Sequence, residues 1–322
     1  MNDPVLRLGN IALGGDLVLA PMAGYSDVPF RLICREMGSA VSYTPCMQEG
    51  AMLRRRSRRR EERIDFREQE RPVAMQLLGK DEHELAQAAL RAQDLGPDII
   101  DLNFGCPARR VSWRGRGAAL LREPLLIGRL VSRVVGAVSL PVTAKIRLGW
   151  DESSRNHCEV ARILEDSGVA AITVHGRTKE QGYSGQADWA SIAEVRACVR
   201  VPVIANGDVR TVADIEAIKR ATGCNIVMIG RGAVGHPWIF ARRDVADVGY
   251  AEREAMIRRH LEDMIAYYGE RVALLVFRKH IVHYVRAMDD ATSKRNALVA
   301  CRTADELYAL LESWAGPARA SA

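Results

Sequence analysis

The sequence lacks the marks of several protein classes. Its seven cysteines, at positions 34, 46, 106, 158, 198, 224 and 301, are odd in number and scattered. No CxxC pair and no Cys/His ladder at ligand spacing occurs among them, so neither a disulfide framework nor a zinc site is signalled. His280 and His283 have no third ligand beside them in the sequence, so no metal is expected. This cysteine usage points to a reducing, cytoplasmic setting. No apolar run is long enough to span a membrane. Asp3 and Asp16 precede any continuous apolar stretch, which argues against a signal or transit peptide. Pro21-Met-Ala-Gly24 follows the first strand where a dinucleotide fold would carry GxGxxG, so a doubly wound sheet is the weaker reading.

What remains is 322 residues, 48% hydrophobic and 27% charged, enough for one large core and a small second one. The net charge of +6 leans toward a polyanionic partner. Part of it lies in Arg54-Arg-Arg-Ser-Arg-Arg-Arg60, readable equally as a solvated helix face or a phosphate-contacting one. Nothing calls for a second copy of the chain, and a monomer is expected.

Short β-branched or apolar runs recur at Leu17–Ala20, Ala40–Tyr43, Val73–Leu77, Ile99–Asn103, Val142–Ile146, Ala171–His175, Val203–Ala205 and Ile226–Ile229. Segments of helical period separate them, among them Glu82–Leu95, Pro124–Val135 and Val212–Ala221. Eight such units over 1–242 give a TIM (β/α)8 barrel. Past Arg242 the alternation stops, and Ala251–Tyr268, Val272–Met288 and Thr303–Trp314 read as helices. A small all-helical domain over 243–316 follows, then a disordered tail, 317–322. Leu274, Leu275, Phe277 and Ile281 are expected in its core, with Arg278, Lys279, His283 and Arg286 on an exposed basic face.

Barrel chemistry collects at the C-terminal strand ends. Asp101-Leu-Asn-Phe-Gly-Cys-Pro107 reads as a buried strand ending in a turn that presents a thiol, a setting that filler cysteines do not need. Met22, Gln76, Asn103, Lys145, His175, Arg177, Asn206-Gly-Asp208 and Gly230-Arg-Gly232 stand at the other strand ends. Gly207, Gly230, Gly232 and Arg231 suit a phosphate after strands seven and eight. Lys145 would set a positive charge beside an electron-rich ring; a flavin and a sugar phosphate both fit.

With these residues assembled, the chain resembles the tRNA-dihydrouridine synthases, leaning toward the B-type enzymes. The resemblance rests on Ala20-Pro-Met-Ala-Gly24, Gln76-Leu-Leu-Gly79, Asp101–Pro107, Lys145-Ile-Arg-Leu-Gly-Trp150, Val174-His-Gly-Arg-Thr178, Pro202–Asp208, Met228-Ile-Gly-Arg-Gly232, Pro237-Trp-Ile-Phe240 and Arg278-Lys-His-Ile281. It implies an FMN enzyme that reduces the C5=C6 bond of uracil in tRNA with NADPH as reductant. Cys106 would then donate the proton, and Pro21, Met22, Ala23, Gln76, Lys145, His175, Asn206, Gly207, Asp208, Gly230 and Arg231 would hold FMN. Asn103 and Arg177 would meet the target uracil or its backbone, with Arg278, Lys279 and Arg286 on the tRNA. Two departures from the family pattern stand out: Tyr43-Thr-Pro-Cys-Met47 replaces an expected Glu-Met pair, and Ala118 replaces a usual Ser. The chemistry suits the residues, since thiols as a class titrate at about 8.5 and carry a proton at neutral pH. The alternatives are a dihydroorotate-dehydrogenase-like FMN oxidoreductase, which needs no basic helical domain, and a non-catalytic RNA-binding barrel, against which Cys106 and Lys145 speak.

Overall fold

The computed structural model describes residues 6–54, 64–286 and 288–314. The arginine run beyond Arg54 and the tail 317–322 lie outside the described residues. The chain opens with a hairpin, β1 (Arg7–Leu8) and β2 (Ile11–Ala12), whose Leu8 and Ile11 pack against the inner cluster of the barrel. The parallel strands follow as β3 (Leu17–Leu19), β4 (Ser42–Tyr43), β5 (Met47–Gln48), β6 (Val73–Leu78), β7 (Ile99–Asn103), β8 (Val142–Arg147), β9 (Ala171–His175), β10 (Val203–Asn206) and β11 (Ile226–Ile229). They run in the order β3-β11-β10-β9-β8-β7-β6-β4, with β5 also on β6. Their near-continuous burial is what a parallel sheet covered by helices requires.

The ends of this sheet meet at residue 40, where Ala40 N–H donates to Leu17 O at 2.7 Å. Beside it Leu19 N–H donates to the buried Ser39 hydroxyl at 3.0 Å. The second strand is shorter than the Ala40–Tyr43 expected from its apolar run, because residues 40 and 41 lie on this seam rather than in a ladder. Pro45 then separates β4 from β5, since proline offers no N–H to a sheet.

The helices begin with α1 (Val28–Glu36), capped by the Asp27 carboxylate on Phe30 N–H, and α2 (Glu49–Leu53). They continue as α3 (Glu82–Gln93), α4 (Arg109–Ser112), α5 (Pro124–Val135), α6 (His157–Asp166), α7 (Trp189–Cys198) and α8 (Val212–Thr222). Their apolar faces and the outer faces of the strands build the main core.

The C-terminal helices are α9 (Tyr250–Tyr268), α10 (Glu270–Tyr284), α11 (Ala291–Ala300) and α12 (Ala304–Trp314). Their core takes in Ile33 of α1 and Trp238 of the loop after β11, so it is shared with the barrel. Two expectations change here. Leu275 is 57% exposed, because the buried stripe of α10 runs through Ala273, Leu274, Phe277, His280, Ile281 and Tyr284, which places position 275 off the face. The basic face also does not form as a unit. Arg278, Lys279 and His283 are half-buried and only Arg286 is exposed, because this side of α10 packs over the loop after β3, with Lys279 Nζ 5.4 Å from the Tyr25 ring. Among the described residues no helix is long and apolar enough to cross a membrane.

Candidate active site at the C-terminal mouth of the barrel

The turn that carries Cys106 is held from below by side-chain amides. Asp101 is buried on β7 and accepts from Thr143 Oγ1 (2.6 Å) and Gln76 Nε2 (2.7 Å). Burial raises its carboxyl above the ordinary range, against the pull of those two bonds. Gln76 Oε1 accepts from Asn103 Nδ2 at 2.8 Å, and Asn103 Oδ1 accepts the N–H groups of Gly105 (3.1 Å) and Cys106 (2.9 Å). The Cys106 carbonyl accepts from Ala118 N–H at 3.2 Å. That support comes from the backbone, so Ala118 serves it as well as a serine would.

A second brace comes from the side. Arg147, two residues after Lys145 and on the same face of β8, is 1% exposed. Its Nε donates to Gly105 O at 2.9 Å, and its NH1 donates to Thr178 O and Gly182 O, each at 2.8 Å. One guanidinium thus ties the Cys106 turn to the loop after β9. Burial pulls its pKa down to about 10. The sequence displayed Arg147 inside the Lys145–Trp150 motif, and period two was the signal that could have singled it out.

Beside these braces opens a cavity of about 400 Å³. Pro21, Met22, Lys145, His175, Asn206, Gly207, Asp208, Gly230 and Arg231, all expected at a cofactor, line it together. Lys145 Nζ donates to Asn206 Oδ1 at 2.9 Å, and Asn206 Nδ2 is anchored on Met228 O at 2.8 Å. Burial, then the neighbouring Arg147, lowers the Lys145 pKa to about 7. Burial also takes His175 well below its usual value, with Lys145, Arg147, Arg177 and Arg231 adding to the effect. Arg177 NH1 approaches His175 Nε2 at 3.4 Å. A guanidinium only donates, so His175 is neutral with its proton on Nδ1.

Other expected residues take different places. Ala23 is exposed at the rim, and Gln76 and Asn103 belong to the amide ladder. Arg177 is 1% exposed and donates to Ser184 O (3.0 Å), Gly185 O (2.7 Å) and Asp208 Oδ2 (2.6 Å). It holds the 182–185 loop and the Asp208 carboxylate in position. Burial works against the Asp208 carboxylate, but Arg177 and the Ala187 N–H outweigh it and hold the pKa below the ordinary value. Arg278 and Lys279 do not line the cavity, though Lys279 lies over Tyr25, which does, whereas His283 and Arg286 line it.

Cations stacked on aromatic rings surround the mouth. Trp113 is 71% exposed with the Arg109 guanidinium 3.8 Å from its centroid. Trp150 lies between Arg122 (4.0 Å) and Lys179 (3.9 Å), and the 56% exposed Tyr183 faces Arg231 at 4.3 Å. These loops follow β7, β8 and β9. Flat π-faces beside fixed positive charge are what unstacked bases and their phosphates bind.

The model of the family described as dihydrouridine synthase matches residues 18–316. The chain belongs to that family. A tRNA-dihydrouridine synthase B of Xanthomonas axonopodis pv. citri is 36% identical over 317 residues, covering 96% of this chain and 95% of the relative. A probable tRNA-dihydrouridine synthase of Rhizobium leguminosarum bv. phaseoli is 41% identical over 280 residues, covering 84% of each. Among solved structures, histamine dehydrogenase from Rhizobium sp. 4-9 aligns with a TM-score of 0.55 at 14% identity, over 80% of this chain. This dihydrouridine synthase spans half of that longer chain, and the likeness shows the barrel fold alone.

Proposed function

We propose that this dihydrouridine synthase reduces the C5=C6 bond of uridines in folded tRNA, with FMN seated in the cavity and NADPH as reductant. The observation that carries the reading is the thiol of Cys106, braced by Asn103 and Arg147, alongside a cavity that combines Lys145, His175 and Arg231. The residues fit a flavin phosphate in chemistry and size. Met22, Met228 and Val234 give apolar wall, Lys145 gives a buried amine that an anionic ring would keep protonated, and Gly207, Gly230 and Gly232 leave backbone near the arginines. When bound, the flavin supplies the hydride.

The chain's own residues do the rest. Cys106 holds the proton for the second carbon and delivers it from the fixed turn. Lys145, backed by Asn206, stabilises negative charge at the ring, and neutral His175 presents Nδ1–H as a hydrogen-bond donor without adding charge. Trp113, Trp150 and the arginines beside them bind the RNA around the mouth while the target base is extruded, a step that costs a few kcal/mol. Residues 243–316 contribute further tRNA contacts, and the enzyme works as a cytoplasmic monomer. The test is to map dihydrouridine in tRNA from a strain lacking the protein, then to supply purified protein, NADPH and that tRNA. Restored dihydrouridine is the expected result, and turnover of dihydroorotate in its place overturns the assignment.

A further inference from the structure

Three arginines from separate parts of the chain meet in the wall of the cavity: Arg210 after β10, Arg231 after β11, and Arg286 just beyond α10. Two glycines bring their backbones together. A Cβ on Gly232 would fall 2.1 Å from Val209 O, so the loop after β11 lies directly against the residue preceding Arg210. Gly235, with φ +69, presses on the last turn of α10, and a Cβ there would fall 2.4 Å from the His283 carbonyl carbon. Only glycine permits that approach. The helix ends at Tyr284 and Val285 caps it, so the chain releases Arg286 at the cavity.

These cations have little to neutralise them. Among the described residues neither Arg210 nor Arg286 makes an ion pair, and the carboxylate nearest Arg231 is Asp208 Oδ1 at 3.8 Å. The other Asp208 oxygen is taken by Arg177 (2.6 Å) and Ala187 N–H (2.7 Å). Partial burial in the wall lowers the pKa of Arg286 although its side chain stays open to the cavity, and Arg210 lowers it further. Exposed arginines elsewhere in the chain behave differently: Arg242, Arg243 and Arg259 reach carboxylates at 2.6 to 2.7 Å. Three guanidinium groups gathered around one carboxylate in a cavity wall suit an anionic group.

We infer that Arg286, with Arg210 and Arg231, binds the phosphate of the flavin, so that the helical segment is a structural part of the cofactor site. This rests on the proposal that the cavity holds FMN. It departs from the expectation that every cofactor contact lies at or before Arg231 and that Arg286 serves tRNA.

The experiment uses full-length protein stripped of flavin, titrated with FMN and with riboflavin, which lacks the phosphate. Arg286→Ala should weaken FMN by about 10- to 100-fold, the loss of one charge-assisted bond, and leave riboflavin within about two-fold. Arg286→Lys should recover much of the loss. Equal weakening of both ligands would reduce Arg286 to a structural prop and overturn the inference. Unchanged FMN affinity would also overturn it. In that event a shallower salt dependence of tRNA binding assigns the arginine to the RNA backbone, and a lost preference for NADPH over NADH assigns it to the nicotinamide cofactor's phosphate. Wild-type protein that fails to bind FMN sinks the flavin reading and this inference together. Wild-type binding that is insensitive to Arg286→Ala sinks only the inference.

Discussion

Two sides of the barrel mouth are built on opposite principles. Around Cys106 the hydrogen-bonding groups are tied to one another within the protein: Asp101, Gln76 and Asn103 are linked bond by bond to the backbone of the turn, and Arg147 braces the same turn from the side. Around Arg210, Arg231 and Arg286 the charged groups face a cavity with few partners. The first arrangement holds a reactive atom still, as proton transfer requires. The second is completed only by a ligand. Mutations on the braced side should therefore damage geometry and rate, whereas mutations on the open side should damage affinity.

The sharpest test of that contrast is Cys106→Ala. It should leave flavin content unchanged and lower single-turnover oxidation of reduced flavin by tRNA about 10²–10⁴-fold. A wild-type rate in the mutant would remove Cys106 from the proton step. Arg147→Ala leaves the carbonyls of Gly105, Thr178 and Gly182 without their buried donor. Each such orphan costs about 1–3 kcal/mol where water cannot replace the bond. Denaturant unfolding should report a clear loss of stability, and tRNA-dependent turnover should fall by about 10²-fold, as displacement of a reacting group does. If only FMN affinity changed, Arg147 would belong to the open side.

Trp113→Ala should weaken tRNA about 5- to 100-fold, the range for one lost base stack. Flavin reduction by NADPH should stay at the wild-type rate, and Trp113→Phe should restore most of the binding. Equal tRNA affinity in filter binding would leave the exposed ring without an RNA role.

A further expected effect is on pH dependence. The Lys145 pKa falls from 10.5 to about 7 in the folded chain, so between those values the unfolded chain binds the extra proton. Flavin-free stability should therefore rise with pH across that window, with the cost of the buried charge fully present below it. Lys145→Met should flatten the rise. Parallel melting-temperature curves for the two proteins from pH 6 to 9 would show that Lys145 is not held in its low state.

Much of this was readable from the chain because strand ends in a barrel concentrate polar residues. Ile99–Asn103, Ala171–His175 and Ile226–Ile229 occupy the residues that their apolar runs marked, and Lys145, His175 and Asn206 meet where those ends converge. What was hidden depended on the third dimension. α11 escaped notice because Leu298 is its one buried residue, which gives no periodic signal. Leu275 was misplaced because an unbroken apolar run does not reveal which side of a helix faces inward. Arg177 carries a motif's polar character yet bonds Ser184, Gly185 and Asp208 within the protein. Arg286 looked like part of a surface helix until the helix ended before it.

The seam at residue 40 makes the barrel mechanically uneven. Seven of its junctions are laced by strand ladders, while the eighth is held by Ala40 N–H on Leu17 O and by the Ser39 hydroxyl. Local opening begins where the fewest bonds must break together, so the ring should part along this line. Deuterium uptake at Leu19 and Ala40 would then precede uptake in β7 to β10, and Ser39→Ala would widen the gap. A chain re-cut to begin near Ala40 would move its ends to the weakest joint and leave every ladder intact.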